Sequence, residues 1–458
     1  MPRRIFIAPW EVSEMYEKLF DLINQGKFTA ARNEIVEMNV VDIAQFLEEL
    51  PVEKLLVIFR LLPKEIVADV FSYMPIEDKQ HIIEAITDKE IRHIIDELFL
   101  DDTVDMVEEM PANVVKKVLK NTTKEERDLI NRFLKYPEYS AGSMMTIEYV
   151  DLKEDMSVAE ALEHIKRTGV DKETINTCYV IDKGRKLQGI VSLRRLILSD
   201  SNKKIKDIMN TKIISIPTHL DQEDTAMLFK KYDLTAMPVV DTESRLVGII
   251  TIDDVVDIIE QENTEDFQKM AAMEPSDEEY LKSGIFNLAK KRIAWLLILM
   301  ISATFTGAII RSYEDILQSV VILAAFIPRL MDTGGNAGSQ SATLVIRGLA
   351  LEEIKLKDTL KVLGKEFKVS LVVGVALASV NFIMIYFFER TDIRIAFTVC
   401  ISLFLTVVLA KVVGGTLPII AKKMKLDPAI MAGPLITTIV DAVALMAFFS
   451  LSSWILGI

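Results

Sequence analysis

The chain has little of what redox, thiol and metalloprotease chemistry is built from. Two cysteines, Cys178 and Cys400, and four histidines, His81, His93, His164 and His219, occur in 458 residues. Two distant cysteines make neither a disulfide framework nor a CxxC pair, which suits soluble segments in a reducing compartment. No histidine falls in the long apolar runs beyond residue 290. An intramembrane metalloprotease, which needs an HExxH ligand pair inside a span, is therefore not expected, and no P-loop or nucleophile elbow points to another enzyme. Positive charge is also in deficit. The net charge of −14 argues against a nucleic-acid partner and for cations. Before Glu11 there is no sustained apolar core, so no cleavable signal peptide is expected.

The charge is unevenly spread: −20 over residues 1–288 and +6 over 289–458. In the acidic part, Pro51, Pro63, Pro75 and Pro111 are separated by multiples of 12 residues, each after an apolar residue (Leu50, Leu62, Met74, Met110). Ile86 and Leu98 hold the same phase without proline. Proline favours a helix start, and "LLVIF" and "IVADVF" recur at helical spacing, so a stack of short helices is expected over 1–137. The acidic run "LDDTVDMVEEM" lies near its end.

A second repeat follows. "YVIDKGRKLQGIVSLRRLI" returns 59 residues later as "PVVDTESRLVGIITIDDVV", each copy reading strand, turn, strand, helix, with a helix before it. Two such units, over 138–205 and 206–260, resemble a tandem pair of CBS domains. Next comes a strongly acidic helical segment, "DDVVDIIEQENTEDFQKMAAM", within a connector spanning 253–285.

From 286 onward the spacing is that of membrane spans. Residues 293–310 and 369–388 are uncharged and long enough to cross roughly 30 Å of hydrocarbon. Three further runs, 316–346, 395–420 and 428–458, carry isolated charges or a polar interruption, making five spans. Basic residues before the first span, between the second and third, and between the fourth and fifth place those flanks inside. The acidic part is then cytosolic and the C-terminus outside. The fold class expected is a multidomain α-helical membrane protein: a cytosolic solenoid-like helical module and an α/β pair, then a five-helix transmembrane domain.

Polar residues inside such spans are costly and point to a cavity. "PRLMDTGGNAGSQS" places Asp332, Asn336 and Gln340 among Gly334, Gly335 and Gly338. The glycines are expected to break the helix at a pore, close helix packing being the alternative. In "LDPAIMAGPLITTIVDAVAL" a helix is expected to start at Asp427 and Pro428, with Asp441 ~20 Å along it. Pro434 is expected to free a carbonyl one turn earlier, and Thr437 and Thr438 share the neighbourhood. Carboxylate, hydroxyl and carbonyl oxygens suit a hard cation. Pairing of Asp441 with Lys411, and of Asp332 with Arg329, is the alternative.

These two membrane motifs, behind a helical module and a CBS pair, resemble the MgtE magnesium channels and transporters. The resemblance implies a homodimer in the cytoplasmic membrane with the ion path at the dimer axis. It implies pore residues Asp332, Gly335, Asn336, Thr437, Thr438 and Asp441, the last holding a largely hydrated magnesium ion. It implies that the connector acts as a plug and that magnesium is sensed by Asp101, Asp105, Asp221, Glu223, Asp233, Asp254, Asp257, Glu262, Glu265 and Asp266. The −20 excess, self-repelling unless divalent cations screen it, supports sensing independently. Nucleotide-binding CBS units commonly carry Ser or Thr and, three residues on, Asp. The second unit has Thr251 and Asp254, but the first has Ser192 followed by Arg195, which argues against an adenine nucleotide. Other readings are a CBS-regulated channel for another ion, including an anion, and a membrane sensor that transports nothing.

Overall fold

A computed structural model describes residues 9–276, 280–281 and 283–457. The segment before Pro9, on which the expectation about a signal peptide partly rests, lies outside the described residues. The chain divides into two compact units, Met1–Ile258 and Ile259–Ile458.

The first unit opens with ten helices: α1 (Pro9–Asn24), α2 (Phe28–Ile35), α3 (Val40–Glu48), α4 (Val52–Leu61), α5 (Lys64–Ser72), α6 (Ile76–Ala85), α7 (Asp88–Glu97), α8 (Leu100–Glu109), α9 (Ala112–Lys120) and α10 (Lys124–Phe133). The N-cap residues of α3 to α10 are Asn39, Pro51, Pro63, Pro75, Thr87, Phe99, Pro111 and Thr123, one every 12 residues. Different chemistry holds the one period. The prolines fix the entry angle, whereas Thr87 and Thr123 form capping boxes with Glu90 and Glu126. Long cations tie one helix to the end of another: Arg32 donates to the Leu61 carbonyl, Arg60 to Ala85, and Lys117 to Ile83, Glu84 and Ile86. The solenoid core, with Phe46, Ile58 and Phe71, runs without interruption into Phe229, Val239 and Ile250 of the second α/β module.

The two α/β modules follow. The first contains β1 (Tyr149–Leu152), α11 (Val158–Thr168), β2 (Thr174–Ile181), β3 (Leu187–Ser192), α12 (Leu193–Ile197) and α13 (Ile205–Ile208). The second contains β4 (Ile216–Pro217), α14 (Gln222–Tyr232), β5 (Ala236–Val240), β6 (Leu246–Thr251) and the start of α15 (Ile252–Met270). Each sheet has order 1-2-3, with a parallel and then an antiparallel pairing. The repeat is kept at the level of contacts. Val180 pairs with Gly189, and Val239 with Gly248. A Cβ at Gly189 would lie 2.6 Å from the Met209 sulfur, and one at Gly248 2.7 Å from that of Met145. The modules clasp each other through Tyr149, Tyr179, Ile181, Leu246 and Ile249. Residues 140–146 run back along the second module, where Thr146 pairs with Ile249 and Gly142 donates to Thr218.

In the second unit, α16 (Ile285–Ser312) and α17 (Glu314–Ser319) precede α18 (Ile327–Ala350), α19 (Thr359–Ile383), α20 (Ile393–Lys423) and α21 (Gly433–Leu456). Among the described residues, four stretches are long and apolar enough to cross a membrane: Ile285–Ser312, Leu356–Phe388, Ile393–Lys423 and Pro428–Leu456. The fifth expected span is α18, whose polar residues keep it below that hydropathy. The expected break in it is absent, for α18 is one unbroken helix. Its glycines are packing sites. A Cβ at Gly334 would lie 2.7 Å from a Thr406 methyl, and one at Gly338 2.9 Å from Ile436. At Gly414 of α20 it would lie 2.2 Å from the Gly338 carbonyl oxygen, so α18 and α20 meet backbone to backbone.

Gly414→Ala is expected to force α18 from α20 and to cost about 1–3 kcal/mol or more. Gly364, with nothing within 4 Å of its missing Cβ, is the control. Thermal unfolding of the solubilised protein is expected to drop for Gly414→Ala and to hold or rise for Gly364→Ala.

Candidate functional site

Carboxylates of the first unit converge from three elements. Asp101, Asp102 and Asp105 lie in the first turns of α8, and Asp253 and Asp254 open α15. Glu148 and Glu173 stand side by side just before the parallel strands β1 and β2, the Glu173 amide donating to the Glu148 carbonyl, and both act on the same group. Crowding by protein raises Asp105 to about 7, with the charges of Asp102, Glu109, Glu108 and Asp254 adding to it. Glu173 is raised to about 7 by burial and then by Asp253, Asp254, Asp102 and Glu148. Asp254 reaches about 6 through burial, offset by the hydroxyl of Thr251, which donates to its Oδ2 at 2.9 Å. Asp101 is also raised by burial and by Asp102 and Asp254. Burial raises Asp102, and Lys79, the cation among them, offsets part of that rise.

Of the ten expected sensing residues, the fold thus gathers Asp101, Asp105 and Asp254. Sequence reasoning missed Asp102, Asp253, Glu148 and Glu173. Asp102 and Asp253 stood beside named residues, so a search for adjacent acids had a signal to find, while the two glutamates had none. Asp221 and Glu223 lie at the start of α14, Asp221 as its N-cap, and Asp233 closes that helix in a left-handed conformation. Asp257 and Glu262 lie further along α15. Ser192 caps α12 by accepting the Arg195 amide, so its hydroxyl already has a structural partner.

In the second unit, the end of α15 meets the start of α21. Lys269 forms ion pairs with Glu265 and, at 2.6 Å, with Asp427. Burial alone would lower Lys269, but these hydrogen bonds and charges raise it. Asp266 is pushed up to about 6 by burial and by Asp427. Gly433 has φ +40°, and a Cβ on it would lie 2.6 Å from the Met270 carbonyl oxygen. Both the dihedral and the contact require glycine there.

The intramembrane candidates lie on α18 and α21. Asp332, Asn336 and Gln340 recur every four residues on the exposed face of α18, opposite Gly334, Gly338 and Ser341. On α21, Thr437 and Thr438 both donate to the Pro434 carbonyl at 2.9 Å, leaving their oxygen lone pairs unused by that bond. A Cβ at Gly335 would lie 2.9 Å from the Thr437 methyl, so this glycine makes room for the threonine. Asp441 Oδ1 is buried with no hydrogen-bond partner among the described residues, and the charged group acting on it is Asp332.

Several expectations are corrected. Asp427 caps only a short turn, Pro428–Met431, and α21 begins at Gly433, so Asp441 lies about 12 Å along it instead of ~20 Å. Pro434 sits in the first turn, where a missing N–H frees no helical carbonyl, and its own carbonyl is the one that matters. Lys411 does not pair with Asp441, since its ammonium points to Ser341 Oγ at 3.4 Å. Arg329 bonds Asn381 and Glu389, not Asp332. No group of three or more His, Cys, Asp or Glu among the described residues is set to hold a metal ion.

The raised carboxylates fix the sign of a pH effect. Between their unfolded values, 3.8 or 4.5, and about 7, the folded cluster holds protons that the unfolded chain has released. The contribution of these carboxylates to stability in divalent-free buffer is therefore fully present below about pH 4 and is lost as pH rises through about 7. Hydrogen exchange of the α8 amides, corrected for its intrinsic pH dependence, is expected to quicken from pH 5 to pH 8. Asp105→Asn with Glu173→Gln is expected to flatten the trend.

Known proteins match this arrangement along the chain. The family of divalent cation transporters MgtE matches residues 327–451, its intracellular N domain 38–139, and CBS domains 141–201 and 205–261. The magnesium transporter MgtE of Thermus thermophilus is 36% identical over 444 residues, spanning 96% of this chain and 98% of the relative. That of Bacillus subtilis is 32% identical over 440 residues, spanning 96% and 97%. Among solved structures, the soluble part of a magnesium transporter aligns with TM-score 0.51 at 28% identity, over 55% of this chain and 99% of that one. The cytosolic domain of the Mg2+ channel MgtE in complex with ATP aligns with TM-score 0.50 at 36% identity, over 53% and 99%. With membrane, helical and CBS parts all matched in order, and relatives covered almost end to end, the chain belongs to the MgtE family of magnesium transporters.

Proposed function

We propose that this magnesium transporter works as a homodimer in the cytoplasmic membrane. Its ion path runs between the polar face of α18 and Thr437, Thr438 and Asp441 of α21. One observation carries the reading: a row of Asp332, Asn336 and Gln340 is exposed on a membrane helix beside a carboxylate with an unpartnered buried oxygen. Facing lipid, such a row costs several kcal/mol per group. A second copy placed against the row turns that cost into a water-filled path. Magnesium sheds water reluctantly, so a single carboxylate flanked by hydroxyl lone pairs suits a hydrated ion better than a closed ligand cage would.

Gating follows from charge. The group made of Asp101, Asp102, Asp105, Glu148, Glu173, Asp253 and Asp254 repels itself, and divalent cations entering it draw α8 and the start of α15 together. The same α15 ends in Lys269, held by Asp427 at the foot of α21. Magnesium inside the cell thereby holds the path shut, and its depletion releases α15. The N-terminal unit is cytosolic and the C-terminus outside in this reading. An adenine nucleotide is the second reading, favoured by the Thr251–Asp254 pair and by the relative solved with ATP. Asp254 would then be shared between nucleotide and magnesium.

Purified protein in liposomes is expected to pass magnesium and no halide, and Asp441→Asn to lower the flux by more than about 100-fold with the protein still folded. Halide flux would favour the anion reading, and no flux the sensor. Wild-type flux in a correctly inserted Asp441→Asn would remove that residue from the path. Millimolar magnesium is expected to slow tryptic cleavage between residues 142 and 284 beyond a matched sodium control. A cutting pattern indifferent to magnesium would leave the path standing and sink the gate.

A further inference from the structure

Among the described residues, two charged side chains are buried, and both belong to one contact in the membrane unit. Glu366 of α19 is 9% exposed and Lys411 of α20 is 5% exposed. Between them stands Ser341 of α18, 1% exposed. Lys411 Nζ donates to Ser341 Oγ at 3.4 Å, and the same hydroxyl donates to Glu366 Oε2 at 2.6 Å. The chain of donors runs one way, ammonium to hydroxyl to carboxylate, as an ionised pair requires. Neighbouring glycines make it possible. Gly414 lets the α20 backbone touch Gly338, one turn before Ser341, and a Cβ at Gly415 would lie 3.0 Å from Glu366 Cγ.

Burying two charges in a membrane domain to hold helices together is a poor bargain, since apolar residues of similar bulk commonly hold them as well or better. What the contact adds is direction. Ser341 lies nine residues from Asp332, two and a half turns, which puts the two on opposite sides of α18. A rotation of α18 that turns Asp332, Asn336 or Gln340 away from their face withdraws Ser341 from both charges. Such a rotation leaves an unbridged ammonium and carboxylate in low dielectric.

We propose that Lys411, Ser341 and Glu366 are a positioning relay for the ion path: they fix the rotation of α18, and discrimination of magnesium from larger divalent cations depends on them. The inference rests on the path proposed above. It assigns Lys411 a structural partner and a functional task that are separate from Asp441.

The test is Ser341→Ala in the full chain, reconstituted in liposomes, with magnesium and calcium flux measured side by side and Asp441→Asn as reference. The expected result is a folded, inserted protein with a lowered unfolding temperature and a magnesium-to-calcium flux ratio lowered about tenfold. A wild-type ratio in Ser341→Ala, with Asp441→Asn inactive, overturns the relay and spares the path. A fully active Asp441→Asn overturns the path, and the relay with it. Should Ser341→Ala fail to insert, the double variant Glu366→Leu with Lys411→Met removes both charges and keeps their bulk. Folded protein with a lowered ratio supports the relay. Folded protein with the wild-type ratio reduces the contact to packing.

Discussion

A side chain at Gly414 would lie 2.2 Å from the carbonyl oxygen of Gly338, so α18 and α20 approach with nothing between their backbones. The rest of the membrane unit depends on that approach. It brings Ser341 within reach of Lys411 and Glu366, and it sets α18 deep enough for Gly335 to receive the Thr437 methyl. One face of α18 is thereby consumed by packing, and the polar residues are left on the other. A larger residue at 338 or 414 would move α18 outward and change every one of these distances together, because close-packed helices shift as bodies.

The first unit solves the opposite problem. There the charges are gathered, not dispersed, and the fold spends its packing on bringing them near one another. The continuous core from the solenoid into the second α/β module makes α8 and the start of α15 parts of one structure. Asp101, Asp102 and Asp105 are therefore brought near Asp253 and Asp254, where like charge opposes the packing that gathers them. If the proposed sensing holds, protons and divalent cations compete for the same carboxylates, and one cluster reports both. A helix that starts in this group and ends at Asp427 has its two ends under different electrostatic control.

How much of this was legible depended on how far apart in the chain the cooperating residues lie. The 12-residue solenoid period is written in prolines, and the 59-residue repeat in paired valines and glycines, because both are local devices that each copy must carry. The polar residues of α18 were legible as a cluster out of place in lipid, but whether its glycines broke the helix or packed it was not. A glycine reads equally as a break or as a contact, and the partner that decides, Gly414, lies on another helix. Asp441 was legible as a lone carboxylate, whereas its depth was not, because the helix begins only at Gly433 after an irregular turn. Glu148 and Glu173 sit among unremarkable neighbours, and only the folding of the first module carries them to α8. Ser341, the hinge of the buried contact, is one hydroxyl among several in "GSQSAT".

The membrane unit thus handles charge in two ways, and the difference separates scaffold from path. Lys411 and Glu366 are nearly inaccessible and share a hydroxyl, so their fields largely cancel and neither attracts an ion. Asp332 and Asp441 act on each other with the same sign, and an oxygen of Asp441 has no partner from the described chain. Two like carboxylates in low dielectric stay ionised together only if a cation or water reaches them. In the proposed path, the uncompensated pair on the α18–α21 face is where a passing cation lowers the energy, and the compensated pair keeps α18 turned toward it.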